Sequence, residues 1–164
     1  MEINPGSPKS AMLHAMNVGE ICNREVVFTY RGTPIVEAAK LMREHHVGSL
    51  VVVVDRLSER VPVGIVTDRD ITVAVIAKGL DPRTLTVGDV ISEELLSVRE
   101  QDSLADALRV MRSRGVRRLP VLTKSGALAG IVTIDDLLEL VAEELDGFVA
   151  IVGRERVREA RARQ

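Results

Sequence analysis

The chain has 164 residues, of which 46% are apolar, and a formal net charge of −2 at pH 7. This size and apolar fraction allow one compact domain or two small domains with a shared core, and the near-neutral charge creates no overall attraction for nucleic acid or anionic membranes. Because Cys22 is the single cysteine and no apolar run reaches membrane-spanning length, we expect no intramolecular disulfide, no thiolate zinc cage and a cytoplasmic setting.

The first half reads as β–α–β–β–α after an N-terminal extension, residues 1–15, that we expect to be disordered. Thr33 is the predicted N-cap of the first helix, and Pro34 is its predicted first residue. Gly79 and Pro82 provide the stop signal of the second helix. Apolar spacing predicts strands over 26–29, 49–54 and 61–66, and helices over 34–45 and 68–78.

The second half repeats this order of elements. Leu104, Ala107 and Met111 follow helical spacing on one face, and Gly115 is expected to end that helix. A final helix is expected to start near Ile134. The pattern predicts strands over 95–98, 118–122 and 128–132, a helix over 103–114, and a charged helical tail over 142–164.

The two halves also share sequence. Residues 64–70, Gly-Ile-Val-Thr-Asp-Arg-Asp, return 66 positions later as Gly-Ile-Val-Thr-Ile-Asp-Asp at residues 130–136. Before residue 54 the offset is 69, which aligns Ala38 with Ala107 and Met42 with Met111. The offset changes where two strands are joined by loops of different length. We therefore interpret the chain as one unit of about 60 residues that has been duplicated.

Each repeated motif ends a strand at a threonine and opens a helix with aspartate three residues later: Thr67 with Asp70, and Thr133 with Asp136. One interpretation is a helix capping box, with aspartate in place of the usual Glu or Gln. The other is a ligand site, because a helix N-terminus offers unpaired N–H groups to an anion and a carboxylate accepts hydrogen bonds from sugar hydroxyls. The two interpretations are compatible.

Neighbouring residues make the two motifs unequal. Arg69 lies in a first helical turn, where a cation opposes the helix dipole, and it is either solvated or a partner for a bound phosphate. The second copy has Asp135 at this position. Ile65 and Ile131 belong either to the core or to apolar walls for a base. We therefore expect the two sites to differ in ligand or affinity.

A second inequality lies at the start of the middle strand. Arg117 and Arg118 are either surface charges or phosphate partners, whereas the first copy has Gly48 and Ser49. Because adjacent strand residues face opposite sides, we expect at most one of the two arginines to point into a given cleft.

These motifs, together with Gly115-Val116-Arg117-Arg118-Leu119-Pro120-Val121, resemble a tandem pair of CBS domains, the Bateman module. The resemblance covers residues 18–141. It implies an α/β (α+β) fold of two β-α-β-β-α units packed sheet to sheet with pseudo-twofold symmetry. We expect unit 1 over 16–82 and unit 2 over 83–141.

The resemblance further implies a stand-alone regulatory module rather than an enzyme. Such modules bind AMP, ADP, ATP, NAD or S-adenosylmethionine in clefts between the units, require no cofactor, and commonly dimerise into a disk of four units. It implies that aspartates contact ribose, threonines contact phosphate or sugar, and basic residues contact phosphate. A downstream protein would read the signal. The implied nucleotide-binding residues are Ile65, Thr67, Arg69, Asp70, Arg117, Arg118, Ile131, Thr133 and Asp136.

Three alternatives come from other classes. A nucleotide-hydrolysing enzyme is disfavoured because the sequence contains no Gly-x-x-x-x-Gly-Lys loop. A metal site is disfavoured because His45 and His46 are helix neighbours that do not face each other. A scaffold or nucleic-acid-associated module with vestigial pockets has only the basic residues of 154–163 in its favour. The chain also has few aromatic platforms for bases, namely Phe28, Tyr30 and Phe148.

Overall fold

The computed structural model describes residues 16–91 and 94–142. The predicted N-terminal extension and, apart from residue 142, the predicted charged tail lie outside these described residues. Within them the fold is mixed α+β, with two three-stranded sheets and the helices that flank them. The predicted fold class is confirmed.

The strands and longer helices follow the predicted order in both halves, and a short helix that was not predicted precedes them in the first half. In the first half these are α1 (Val18–Ile21), β1 (Phe28–Tyr30), α2 (Ile35–Glu44), β2 (Ser49–Arg56) and β3 (Glu59–Thr67). Helix α3 begins with Asp68–Asp70 and continues in π-helical geometry over Ile71–Ile76. After short 3₁₀ turns at Pro82–Thr84 and Val87–Asp89 come β4 (Val98–Arg99), α4 (Leu104–Arg114), β5 (Arg118–Leu122), β6 (Leu128–Thr133) and a helical stretch over 134–142, named α5.

The helix ends show where local sequence decides the structure. Gly115 ends α4 in the left-handed region at φ 66°, as predicted for a glycine that follows a helix. The predicted N-cap at Thr33 is wrong, because Pro34 is the N-cap, with φ −57° and ψ 142°. The Thr33 hydroxyl instead accepts a hydrogen bond from the Tyr30 N–H at 3.3 Å. Proline suits both roles because its fixed φ is compatible with extended and helical backbone.

Both sheets have the same construction. The first strand of each half runs parallel to the middle strand, and the middle strand runs antiparallel to the last. Leu50 pairs with Val66 in the first sheet, and the corresponding Leu119 pairs with Val132 in the second. The register also shifts after Val52 and after its equivalent Val121. Strands β3 and β6 are in contact, so the two sheets meet through equivalent edges.

Each half contributes a segment to the core of the other half. Val18 and Cys22, which precede the first sheet, belong to the buried cluster of the second half. The Val18 N–H donates to the Asp102 carbonyl at 2.8 Å, which fixes this segment beside α4. In the opposite direction, Val87 is buried in the cluster of the first half, and its N–H donates to the Thr33 carbonyl at 2.9 Å. The exchange therefore follows the same pseudo-twofold relation as the sheets.

Candidate functional site

The first repeated corner joins β3 to α3. The Thr67 hydroxyl accepts a hydrogen bond from the Asp70 N–H at 3.0 Å and donates to Oδ2 of Asp70 at 2.7 Å. The Thr67 N–H donates to the same oxygen at 2.9 Å. Thr67 has extended backbone geometry, as an N-cap residue requires. The corner is thus a complete capping box.

The second corner, between β6 and α5, has the same geometry. Oδ2 of Asp136 accepts from the Thr133 N–H at 2.6 Å and from the Thr133 hydroxyl at 2.8 Å. The Asp136 N–H donates to the Thr133 hydroxyl at 3.2 Å. In both corners the box uses only Oδ2 of the carboxylate. The capping geometry therefore leaves Oδ1 outside the box and does not compete with a ligand role for that atom.

Similar boxes occur at helix starts that are not repeated corners. Ser103 and Asp106 form one before α4, with the hydroxyl 2.7 Å from Oδ2 of Asp106. Thr86 and Asp89 form another, also at 2.7 Å. Capping alone therefore accounts for the hydrogen bonds within each Thr–Asp pair. Ligand binding therefore depends on the cavities and side chains that surround the corners.

A cavity of about 490 Å³ opens beside the first corner. One wall comes from the first half, at the end of β3 and the start of α3, and the opposite wall comes from the second half, just before β5. The lining residues are Ile65, Thr67, Asp68, Arg69, Asp70, Glu94, Leu95, Leu96, Gly115, Val116, Arg117 and Arg118. The structure thus brings six of the nine predicted site residues to one cavity between the halves.

Arg117 and Arg118 both line this cavity, so the expectation that at most one would do so is wrong. Strand alternation does not apply to the pair, because Arg117 lies in the bend before β5 and only Arg118 is within the strand. Arg117 approaches Asp135 at 3.5 Å, with both side chains exposed. Arg118 is half-buried and donates from Nη1 to the Ser49 hydroxyl at 2.6 Å.

The acidic side chains of the cavity have defined partners. Oδ1 of Asp68 accepts a hydrogen bond from the Arg69 N–H at 2.7 Å. Glu94 forms an ion pair with Arg114, which lies outside the cavity lining. Arg114 compensates the charge of Glu94, whereas the backbone N–H leaves the charge of Asp68 in place. The positive charge for an incoming anion comes from Arg69, Arg117 and Arg118.

The residues of the second corner lie elsewhere. Ile131, Thr133 and Asp136 do not line this cavity. The backbone of Ile131 is instead paired with Asn23, each N–H donating to the other's carbonyl at 2.9 Å. Nearby, burial raises the pKa of the Cys22 thiol above its ordinary value, so the thiol is protonated at neutral pH.

Some cavity residues were not predicted from the sequence. Leu95, Leu96, Gly115 and Val116 supply apolar surface and backbone to its far wall. The offset of 69 aligns Leu96 with Val27. A pair of apolar residues thus precedes the first strand of each half, and this repeated pair is the sequence signal that could have indicated these residues. The apolar pattern predicts a strand over 95–98, whereas in the structure residues 95–97 lie outside regular secondary structure.

Within residues 16–91 and 94–142, no group of three or more His, Cys, Asp or Glu is placed to hold a metal ion. In the same part of the chain, every helix is too short or too polar to cross a membrane.

Sequence comparison decides the family. A model of the CBS domain matches the chain twice, at residues 18–77 and 87–143. The chain belongs to the CBS-domain family. Its tandem CBS domains are similar to an uncharacterized protein of Methanopyrus kandleri, with 34% identity over 128 residues, which is 78% of this chain and 64% of the relative. This chain therefore spans less than two thirds of the length of that relative.

Solved structures of CBS proteins share the fold. An uncharacterized conserved protein from Pyrococcus horikoshii superimposes with a TM-score of 0.69 at 28% identity, covering 78% of this chain and 93% of that one. A hexameric CBS-CP12 protein from bloom-forming cyanobacteria gives a TM-score of 0.66 at 29% identity, covering 75% of this chain and 66% of that one. Tandem CBS domains are commonly regulatory ligand-binding modules.

Proposed function

We propose that this chain is a cytoplasmic regulatory module that binds an adenine nucleotide, AMP, ADP, ATP or NAD, in the cavity between its two CBS domains. One observation carries the proposal. The cavity has a Thr–Asp corner of the first domain on one side and the paired arginines of the second domain on the other. It combines, in one space, the groups that a sugar phosphate requires.

The cavity suits such a ligand in size and chemistry. Its volume of about 490 Å³ lies within the range of roughly 300–1,000 Å³ that is typical of small-molecule sites. Oδ1 of Asp70 is available to accept hydrogen bonds from ribose hydroxyls. Arg69, Arg117 and Arg118 supply cations for phosphate, and the apolar side chains of Ile65 and Leu96 offer walls for adenine.

The proposed output is a shift between conformations rather than a chemical step. Because the walls of the cavity belong to different domains, a bound nucleotide stabilises those arrangements of the two domains that fit it best. The size of the shift equals the difference in affinity between arrangements. No catalytic residue and no cofactor are part of the proposal, and the downstream protein is unidentified.

The experiment must separate ligand contact from helix capping. Asp70→Ala removes a capping box beside the cavity, and Asp106→Ala removes a matching box remote from it. Each should cost about 1 kcal/mol of unfolding free energy, and Asp106→Ala also loses an exposed ion pair with Arg109, which contributes little. Isothermal titration with the nucleotide selected in a thermal-shift panel of AMP, ADP, ATP, NAD and S-adenosylmethionine should show a roughly 10–100-fold weaker Kd for Asp70→Ala only.

Equal Kd values for wild type and both variants would contradict the ribose role of Asp70. A panel in which no compound raises the melting temperature would contradict the proposed function itself. The alternative of a nucleic-acid-associated scaffold rested on residues 154–163, which lie outside the described residues, and it remains a prediction.

We also propose that the module forms homodimers. The cyanobacterial CBS-CP12 neighbour is hexameric, so assembly occurs among proteins of this fold. Exposed apolar side chains on the two helices that follow the corners offer a surface for self-association. These are Val73 and Ile76 on α3, and Leu138 and Val141 on α5.

A further inference from the structure

Three differences between the two corners remove positive charge from the second corner, and a fourth replaces Asp68 of the first corner with the uncharged Ile134. Arg69 of the first corner corresponds to Asp135 of the second. Arg117 and Arg118, which face the first corner across the cavity, correspond to Gly48 and Ser49. The two corners therefore carry different charges: the first shares its cavity with Arg117 and Arg118, whereas the equivalent positions in the other copy are the uncharged Gly48 and Ser49.

One of these pairs is also a direct contact. Ser49 lies opposite Thr67 in the first sheet, and Arg118 lies opposite Thr133 in the second. These equivalent positions meet between the domains, where Nη1 of Arg118 donates to the Ser49 hydroxyl at 2.6 Å. Two arginines at this place would repel each other. The Ser49 hydroxyl instead accepts a hydrogen bond from the guanidinium of Arg118 and holds it near the first corner.

The contact determines what Arg118 can do in the cavity. Ser49 is 7% exposed and is absent from the cavity lining, whereas Arg118 lines the cavity. A guanidinium has five N–H donors in a fixed planar fork. The bond to Ser49 uses one of them, restrains the position of the group and leaves the other donors for a phosphate.

The second corner is the more acidic of the two. Asp135 and Asp136 both lie in the first turn of α5. Asp136 is held in its capping box, and Asp135 approaches Arg117 at 3.5 Å. A phosphate at this corner would meet a carboxylate where the first corner offers Arg69, and like charges disfavour binding.

From this we infer, resting on the proposed function, that the chain binds a single anionic adenine nucleotide, at the first corner. Ser49 is the positioning residue that holds the guanidinium of Arg118 toward its phosphate. The second corner serves as a helix cap and discriminates against phosphorylated ligands.

The test is a double-mutant cycle measured by isothermal titration with ATP and, as an uncharged comparison, adenosine. Wild type should bind one ATP per chain. Ser49→Ala should weaken ATP roughly fivefold and Arg118→Ala roughly tenfold or more, and both should leave adenosine affinity unchanged. In the Arg118→Ala background, Ser49→Ala should have no further effect, because Ser49 acts through Arg118. Ser49→Thr, which keeps the hydroxyl, should retain wild-type ATP affinity.

Each result is decisive in one direction. Two equivalent ATP sites per chain would overturn the inference and leave the proposed function standing. An ATP loss in Ser49→Ala that persists in the Arg118→Ala background would overturn the positioning role, as would an equal loss for adenosine. If neither adenosine nor any nucleotide binds wild type, the proposed function fails as well. Thermal unfolding of every variant shows whether it is folded. If Ser49→Ala is not folded, Ser49→Thr provides the remaining comparison with wild type.

Discussion

The duplicated glycines at the two corners allow a stability prediction with a built-in control. Gly64 and Gly130 occupy the same position in the two copies, two residues before the strand valine and three before the threonine. An added Cβ at Gly130 would lie 2.7 Å from Sγ of Cys22 and 2.8 Å from the Asn23 carbonyl oxygen. At Gly64 the nearest atom would be Cδ1 of Ile91, at 3.0 Å. The same substitution thus meets backbone in one copy and a flexible methyl group in the other.

The two substitutions should change the free energy of unfolding by different amounts, because the atoms that they displace differ in how easily they can move. The Asn23 carbonyl is bonded to the Ile131 N–H, and the reciprocal bond is also 2.9 Å long. Displacing Asn23 therefore weakens two hydrogen bonds of about 1 kcal/mol each, in addition to overpacking of about 1–3 kcal/mol. Reduced entropy of the unfolded chain offsets about 0.4–1 kcal/mol. Gly130→Ala should cost about 2–4 kcal/mol, whereas Gly64→Ala should change stability by less than about 1 kcal/mol, because Ile91 can rotate away.

Urea denaturation at pH 7 measures both variants against wild type. We expect a lower midpoint for Gly130→Ala with an unchanged m value, since the unfolded chain exposes the same surface. Adding Cys22→Ala to Gly130→Ala should not restore wild-type stability, because the contact with the Asn23 backbone remains. Equal losses of unfolding free energy for Gly64→Ala and Gly130→Ala would refute the reasoning. They would also refute the close packing of the segment that contains Cys22 and Asn23 on the second half.

Two further predictions concern assembly and pH. Sedimentation velocity should show a dimer for wild type and a monomer for the double variant Val73→Glu/Leu138→Glu, because charge on an apolar face opposes its burial; a dimer in both would contradict the proposed surface. The hydrogen bond from Ser103 lowers the pKa of Asp106 below its ordinary value, so its stabilising contribution is present above the unfolded pKa of about 4 and is lost as pH falls through the lower, folded pKa. Urea titrations of Asp106→Asn should therefore show less loss of stability in this acidic range than wild type, and an identical pH profile would contradict the assignment.

The sequence was sufficient for the repeat and for most elements because these depend on local periodicity. Apolar alternation and turn residues located the two sheets, and Gly115 correctly marked the end of α4. The start of α2 was misplaced by one residue because proline satisfies the stereochemistry of both candidate positions. The helix after the first corner was predicted, but its π-helical geometry was not, since its β-branched residues lower helix propensity without specifying the alternative.

Tertiary relations were harder to predict. The exchange of segments between the halves leaves no local sequence pattern. Val18 and Val87 are ordinary apolar residues, which could equally pack on their own half or on the other half. The placement of both Arg117 and Arg118 at one cavity required knowing that Arg117 precedes the strand. The two Thr–Asp pairs were recognised as possible caps, and their full hydrogen bonding at Thr67 and Thr133 is a feature that only coordinates reveal.

The exchanged segments also constrain how the proposed signal can operate. Pulling the two domains apart would break the bond from Val18 to Asp102 in one direction and the equivalent bond from Val87 to Thr33 in the other. Cleft opening by wide separation is therefore costly, and we expect the domains to respond to a ligand by small rotations instead. Such rotations change the distance between the first corner and the arginines most directly, because these groups lie on different domains. A ligand that bridges them would act on this distance while the exchanged segments stay in place.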